Sequence, residues 1–336
     1  MKKLPLAKFC AGTLAVVVLG TGLAVNAQQS KTLTIYSGRE EKLIAPLIEK
    51  AKKDLKLNIQ VRYGDTAELA IALLEEGNNS RADMFFAQDA GALGTLQQRE
   101  RTLAIPAAIL NKVDSRYRSP SGNWMGISGR ARVVNYNTKL VKQSDLPKSI
   151  WELTQPKWRG KVGWAPTNGS FQSFVTAMRK LEGDQKTVEW LRGMKKNGVK
   201  DYGKNTAILE AVGRGEIHLG LANNYYLGRF KKANPNFPVA AHYTNKDAGS
   251  IVNIAGVAVL KTTDQRKDVE NLINYLLSTN SQNYFAEQTT EYPLVRGAKS
   301  AAGQIPLNKL TPPRLDLSQL ADLPGTLKVL QQAGVL

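Results

Sequence analysis

The chain has 336 residues and carries 46 Lys and Arg against 28 Asp and Glu, a formal net charge of +18. One cysteine and two histidines leave no material for a disulfide framework, a cysteine-rich zinc module or most histidine-based catalytic sets. No Ser/His/Asp set, HExxH, P-loop or spaced glycine fingerprint is present, and with two histidines a classical hydrolase or zinc enzyme has little to work with.

Lys2, Lys3 and Lys8 open the chain, an uncharged apolar run follows from Phe9 to Val25, and Val25-Asn26-Ala27 suits an A-x-A-like cleavage site. Residues 1–27 therefore read as a secretory signal rather than a membrane span. Cys10 lies inside it, so the mature chain is expected to hold no cysteine. Three of the excess charges also lie there, and 18 less 3 leaves +15. Export argues against nucleic acid as the partner of that charge, and the basic residues are spread along helices such as Glu49-Lys50-Ala51-Lys52-Lys53 as a solvated face. The mature protein is expected to be soluble, monomeric and periplasmic.

After the signal, short apolar runs alternate with helical patterns, as in a parallel sheet covered by helices. Leu33–Tyr36 reads as a strand, Ser37-Gly38-Arg39 as its turn, and Ile44, Leu47, Ile48, Ala51 and Leu55 as one helix face. Strands follow at 58–62 and 83–87, with Gln88 and Asp89 at the end of the latter. Val133–Tyr136 is a strand entered through Ser128-Gly129-Arg130-Ala131-Arg132. The pattern restarts after Trp151 with strands at 162–165, 199–202 and 217–222. Val162–Ala165 gives way to a turn at Pro166–Gly169 and a helix bearing Phe171, Phe174, Val175 and Met178. Ile251–Leu260 is a long apolar strand that returns to the first half. About 150 residues per half suits two lobes that close around a ligand.

Asn223-Asn224-Tyr225-Tyr226, directly after the run 217–222, is the most informative motif. It falls where a parallel strand hands over to its loop, the usual ligand position in open α/β sheets. A phenol ionises near pH ~10, so each phenolate at neutral pH costs roughly 4 kcal/mol, which a highly charged cation offsets. Hard oxygen anions suit Fe(III). The plain alternative is two aromatics that open a helix and pack into the core. Thr167–Phe171 marks a helix start able to hold an oxyanion, or simply a helix cap. Arg130 and Arg132 share one face of their strand, where one of them can clamp a planar anion or both can sit at the surface. Asn205 and Asn223 are further donors or turn formers. Glu40 and Gln88 end the first and third strands. Glu40 is a hard oxygen ligand or a first-turn acid, and His218 is a core histidine.

These landmarks resemble the periplasmic ferric-ion-binding proteins of iron ABC transporters. The likeness runs through Tyr36-Ser37-Gly38, Ala82-Asp83-Met84-Phe85, Ser128-Gly129-Arg130-Ala131-Arg132, Pro156–Lys161, Asn223-Asn224-Tyr225-Tyr226 and Glu291-Tyr292-Pro293-Leu294. It implies an α/β, type II periplasmic-binding-protein fold, with two hinged lobes each built on a mainly parallel sheet flanked by helices. The first lobe would take residues 28–132 and about 255–306, and the second 133–254 and about 307–336. The resemblance implies Fe(III) held by Tyr225 and Tyr226, with Glu40 and Gln88 as first-lobe candidates. It implies a synergistic anion, carbonate by charge counting, at Asn168, Gly169, Ser170, Asn205, Asn223 and Arg130, with Arg39 adding positive charge. Where some members carry a ligand histidine this chain has Glu40. Their ligand glutamate is Gln88 here, a neighbouring glutamine is Asp89, and Ser170 stands near a third tyrosine of other members. The implied protein is a carrier, not an enzyme, docking on a permease and its ATPase. A same-fold carrier for an oxyanion, phosphonate or polyamine is the alternative, and an enzyme or regulator on this scaffold is a remoter one.

Overall fold

The computed structural model describes residues 31–336, so the expected signal segment 1–27 lies outside the described residues. The strands in chain order are β1 (Leu33–Ser37), β2 (Ile59–Tyr63), β3 (Met84–Ala87), β4 (Thr102–Leu103), β5 (Met125–Asn137), β6 (Val162–Trp164), β7 (Lys200–Asp201), β8 (Leu219–Asn223), β9 (Val239–His242), β10 (Val252–Leu260) and β11 (Tyr292–Pro293). The helices are α1 (Glu41–Leu55), α2 (Thr66–Glu76), α3 (Ala90–Gln98), α4 (Ala107–Leu110), α5 (Gly169–Glu182), α6 (Asp184–Lys196), α7 (Asn205–Arg214), α8 (Asn224–Ala233), α9 (Arg266–Leu276), α10 (Thr279–Tyr284) and α11 (Leu323–Gln332). Among these no helix is long and apolar enough to cross a membrane.

Two parallel sets of strands, β2-β1-β3 and β8-β6-β7, lie at opposite ends of the strand order and are joined through antiparallel β10 and β5. This is the two-lobed α/β arrangement expected. Parallel strands covered on both faces are apolar throughout, and β3 (Met-Phe-Phe-Ala) is buried at every position. Strand β5 changes partners along its length. Met125–Ala131 pairs with β10, while Arg132–Tyr136 pairs with β8. The strand begins eight residues before the expected Val133, because Gly126 and Gly129 disguise it as a turn. Those glycines are needed where they are: a Cβ would fall 2.6 and 2.9 Å from methyl carbons of Leu294.

Most strand limits agree with the sequence reading to within one residue, 199–202 shortening by one at each end to Lys200–Asp201, whereas the run 217–222 becomes a strand only from Leu219. His218 precedes β8 and is half-exposed, not a core residue. Trp164, Phe171, Phe174 and Trp190 pack ring on ring at 5.2–6.0 Å, which fixes α5 and α6 on β6. Phe171 and Phe174 are fully buried, worth roughly 1.5–3 kcal/mol each, so the start of α5 is held firmly. The C-terminal residues bridge distant parts of the fold. Helix α11 lies on α5 and α6, while Leu317–Ala321 lies on α3.

Candidate functional site

Strand β8 runs directly into α8, with Asn223 as the N-cap and Tyr225 and Tyr226 in the first helical turn. The expected loop after the strand is absent; the pair opens a helix instead. Their rings stack with centroids 4.2 Å apart at 30°. Tyr225 is buried at 8% exposure and Tyr226 is half-buried. Arg229, one turn on, covers both rings at 5.0 and 5.8 Å. Burial pushes the Tyr225 phenol well above its ordinary range, and the Tyr226 phenol adds to this through repulsion and a side-chain hydrogen bond, while Arg130 opposes it. Both phenols belong to residues of the first turn of α8. The positive end of α8 lies beneath them and favours negative charge there.

Arg130 and Arg132 lie two residues apart on β5, 4% and 2% exposed, and both line a narrow cleft with Ser170, Ser173, Phe174, Asn223, Ile251 and Asn253. The alternation rule therefore held, and the surface alternative did not. Arg132 donates from Nη2 to the Leu221 carbonyl at 2.9 Å and stacks over Phe171 and Phe174 at 5.4 and 5.2 Å. Its Nε and Nη1, and Nη1 of Arg130, are buried without a hydrogen-bond partner among the described residues. Burial lowers Arg132 to about 9, with the Tyr226 and Tyr225 phenols counteracting, so it stays charged at neutral pH. Buried guanidinium N–H groups without acceptors are costly, and a bound anion relieves that cost.

Asn168 caps α5 by accepting from the Ser170 amide at 3.0 Å and the Ser170 hydroxyl at 2.6 Å. Asn205, 1% exposed, donates to Asn168 Oδ1 at 3.2 Å and Ser170 Oγ at 3.1 Å. A Cβ on Gly169 would meet nothing within 4 Å, leaving that side of the helix start open. Asn223 makes no capping bond with its side chain and faces the cleft. Asn168, Ser170 and Asn205 thus form one cluster, and Arg130, Ser170 and Asn223 share one cleft.

The first-lobe candidates are engaged elsewhere. Arg39, 1% exposed, forms a two-pronged ion pair with Glu291 at 3.0 and 2.7 Å and donates to Gln88 Oε1 at 2.5 Å. Glu291 also accepts from Ser128 and Thr289, each at 3.0 Å. Its burial would raise its carboxyl, yet Arg39, then Arg130 and Ser128, hold it below the ordinary carboxylate range. Glu40 is 57% exposed, pairs with Lys42 at 3.2 Å and makes no capping bond. Asp89 caps α3 at Gly91 and Ala92. Among the described residues no group of three His, Cys, Asp or Glu is gathered to hold a metal.

Sequence reasoning missed Ser173 and Asn253 in the cleft and gave Glu291 no role. The motif Glu291–Leu294 was visible, but nothing in it announces a partner 252 residues away.

The sequence profile of the bacterial extracellular solute-binding proteins matches residues 79–312. The "Major ferric iron-binding protein" of Neisseria meningitidis is 29% identical over 323 residues, covering 95% of this chain and 97% of that one. Iron-bound HitA from Pseudomonas aeruginosa superposes with a TM-score of 0.82 at 30% identity, over 90% of this chain and 99% of that one. A Trichodesmium protein in complex with iron and citrate gives 0.81 at 30% identity, over 91% and 100%.

Proposed function

This chain belongs to the bacterial extracellular solute-binding protein family, and from that premise we propose that it is the extracytoplasmic Fe(III) carrier of an iron ABC transporter. The carrying observation is the stacked Tyr225–Tyr226 pair at the start of α8, beside two buried arginines that each keep N–H groups without an acceptor. Relatives named for ferric iron point the same way. Ferric ion replaces the two phenolic protons, and the positive end of α8 supports the resulting phenolates.

Fe(III) with two phenolates leaves about one positive charge, to which Arg130 and Arg132 add. A small planar anion fits that excess. Carbonate would sit among Arg130, Ser170, Asn223 and the open start of α5 at Asn168 and Gly169, with Asn205 fixing Ser170. Gln88 and Glu40 remain candidates for the first-lobe side once the lobes close, with Arg39 orienting Gln88. The lobes close over metal and anion, the loaded form docks on the permease with its ATPase, and protonation of the phenolates or loss of the anion releases iron. No chemical step is catalysed in this cycle.

Ferric citrate added to the purified protein should give a coloured phenolate-to-iron band, and Tyr225→Phe with Tyr226→Phe should abolish it. A colourless titration overturns the ferric reading. The unpartnered guanidinium groups favour one second reading, an oxyanion carrier with the tyrosines as hydrogen-bonding groups. Thermal stabilisation by phosphate or a phosphonate in metal-free buffer, with no response to iron, would select it.

A further inference from the structure

Helix α8 is seated on an unusual piece of backbone. Residues Phe285–Thr289 form a π-helical turn that ends at Thr290 in the left-handed conformation, φ 57° and ψ 25°. π-helical turns are rare and concentrate at functional sites. Among the described residues, four non-glycine residues have positive φ. Lys56, Glu100 and Lys246 are polar and exposed or half-exposed, whereas Thr290 is β-branched and 3% exposed. A branched residue in that region is strained, and such strain persists only where its surroundings enforce it.

The surroundings here are the candidate iron helix. Thr290 Oγ1 lies 2.8 Å from the carbonyl oxygen of Tyr225, to which it donates, and 2.7 Å from that of Thr289. Gly228 presses on the same residue: a Cβ there would sit 2.8 Å from Thr290 Cβ and Cγ2. Lys232 donates to the Glu287 carbonyl. Residues 225, 228 and 232 lie on one side of a helix, so a whole face of α8 rests on this turn. The next residue, Glu291, grips Arg39 at the end of β1. One short segment therefore ties the tyrosines of α8 to Arg39, after β1, and through its guanidinium to Gln88, after β3.

We infer that Thr290 is a positioning residue for iron binding, its hydroxyl setting the height and angle of α8 and hence of the two phenol oxygens. The inference rests on the ferric reading for its consequence and on geometry for its mechanism. Thr290→Gly tests it, because glycine adopts positive φ freely and so keeps the turn while removing the hydroxyl. The expected result is an unchanged or higher Tm, an iron dissociation constant raised about tenfold, a displaced phenolate-to-iron band, and faster amide exchange at the start of α8 in iron-free protein. Thr290→Ser retains the hydroxyl and should restore affinity, band and exchange. Parent-like exchange in Thr290→Gly overturns the inference whatever iron does, and so does parent-like iron affinity with an unmoved band. A colourless parent protein overturns the ferric reading alone, and the exchange measurement then still decides the role of Thr290.

Discussion

On iron binding the phenol pair should release about two protons, one from each phenol, beside the one that bicarbonate gives up when it binds as carbonate, and affinity should therefore rise steeply with pH. An ordinary phenol ionises near pH ~10, and burial together with Tyr226 pushes Tyr225 higher still. Below that range a phenol holds its proton, so protons compete with the metal throughout the acid and neutral range. With two sites in competition, affinity falls about a hundredfold for each unit of pH lost. Between pH ~7.5 and ~5.5 that amounts to about 10⁴-fold, or roughly 5.5 kcal/mol. The assay is competition against a chelator whose own protonation is corrected for, paired with calorimetry in buffers of different ionisation enthalpy to count released protons. Tyr225→Phe or Tyr226→Phe alone should reduce the count by about one and leave a weaker, shifted band. A parent protein that releases no protons, or affinity that improves on acidification, would refute the phenolate argument.

Two further outcomes test the frame around the site. Glu291→Gln leaves the Arg39 guanidinium buried opposite a neutral partner and should cost about 3–5 kcal/mol in denaturant unfolding, whereas Arg39→Met with Glu291→Leu should recover most of it. A single-variant cost under about 1 kcal/mol would mean that water reaches the pair. Gly94→Ala places a Cβ 2.7 Å from the Ser318 carbonyl oxygen. Since backbone cannot yield as a side chain does, about 1–3 kcal/mol of stability should be lost; an unchanged Tm would show that Leu317–Ala321 is free to shift off α3.

Much of the architecture was legible along the chain because it is written in local patterns. The apolar run Met84–Ala87, the helix face Ile44–Leu47–Ile48–Ala51 and the long run ending at Leu260 each declare an element through residues that are neighbours in sequence. The adjacent tyrosines were equally plain, and so was the shared face of Arg130 and Arg132, since alternation along a strand follows from backbone geometry. Where glycine stood in for a strand residue, at Gly126 and Gly129, the pattern misled, because close packing against Leu294 and not intrinsic preference selected it.

Chemistry at the site divides along the same line. Composition and order alone determined which groups this protein has to offer: no thiol after Cys10, almost no imidazole, a phenol pair and a surplus of basic residues. Only the tertiary structure decided which of them are free. Arg39, Gln88 and Glu291 come from three distant segments and bond one another with Arg39 Nε alone left over, while Arg130 and Arg132 make no such ion pair among the described residues and are buried with three N–H groups left over between them. Hydrogen-bond satisfaction depends on distances of about 3 Å between atoms hundreds of residues apart, and no periodicity encodes that. The left-handed Thr290 under the Tyr225 carbonyl belongs to the same class: its partner lies 65 residues away and meets it only once both segments are folded.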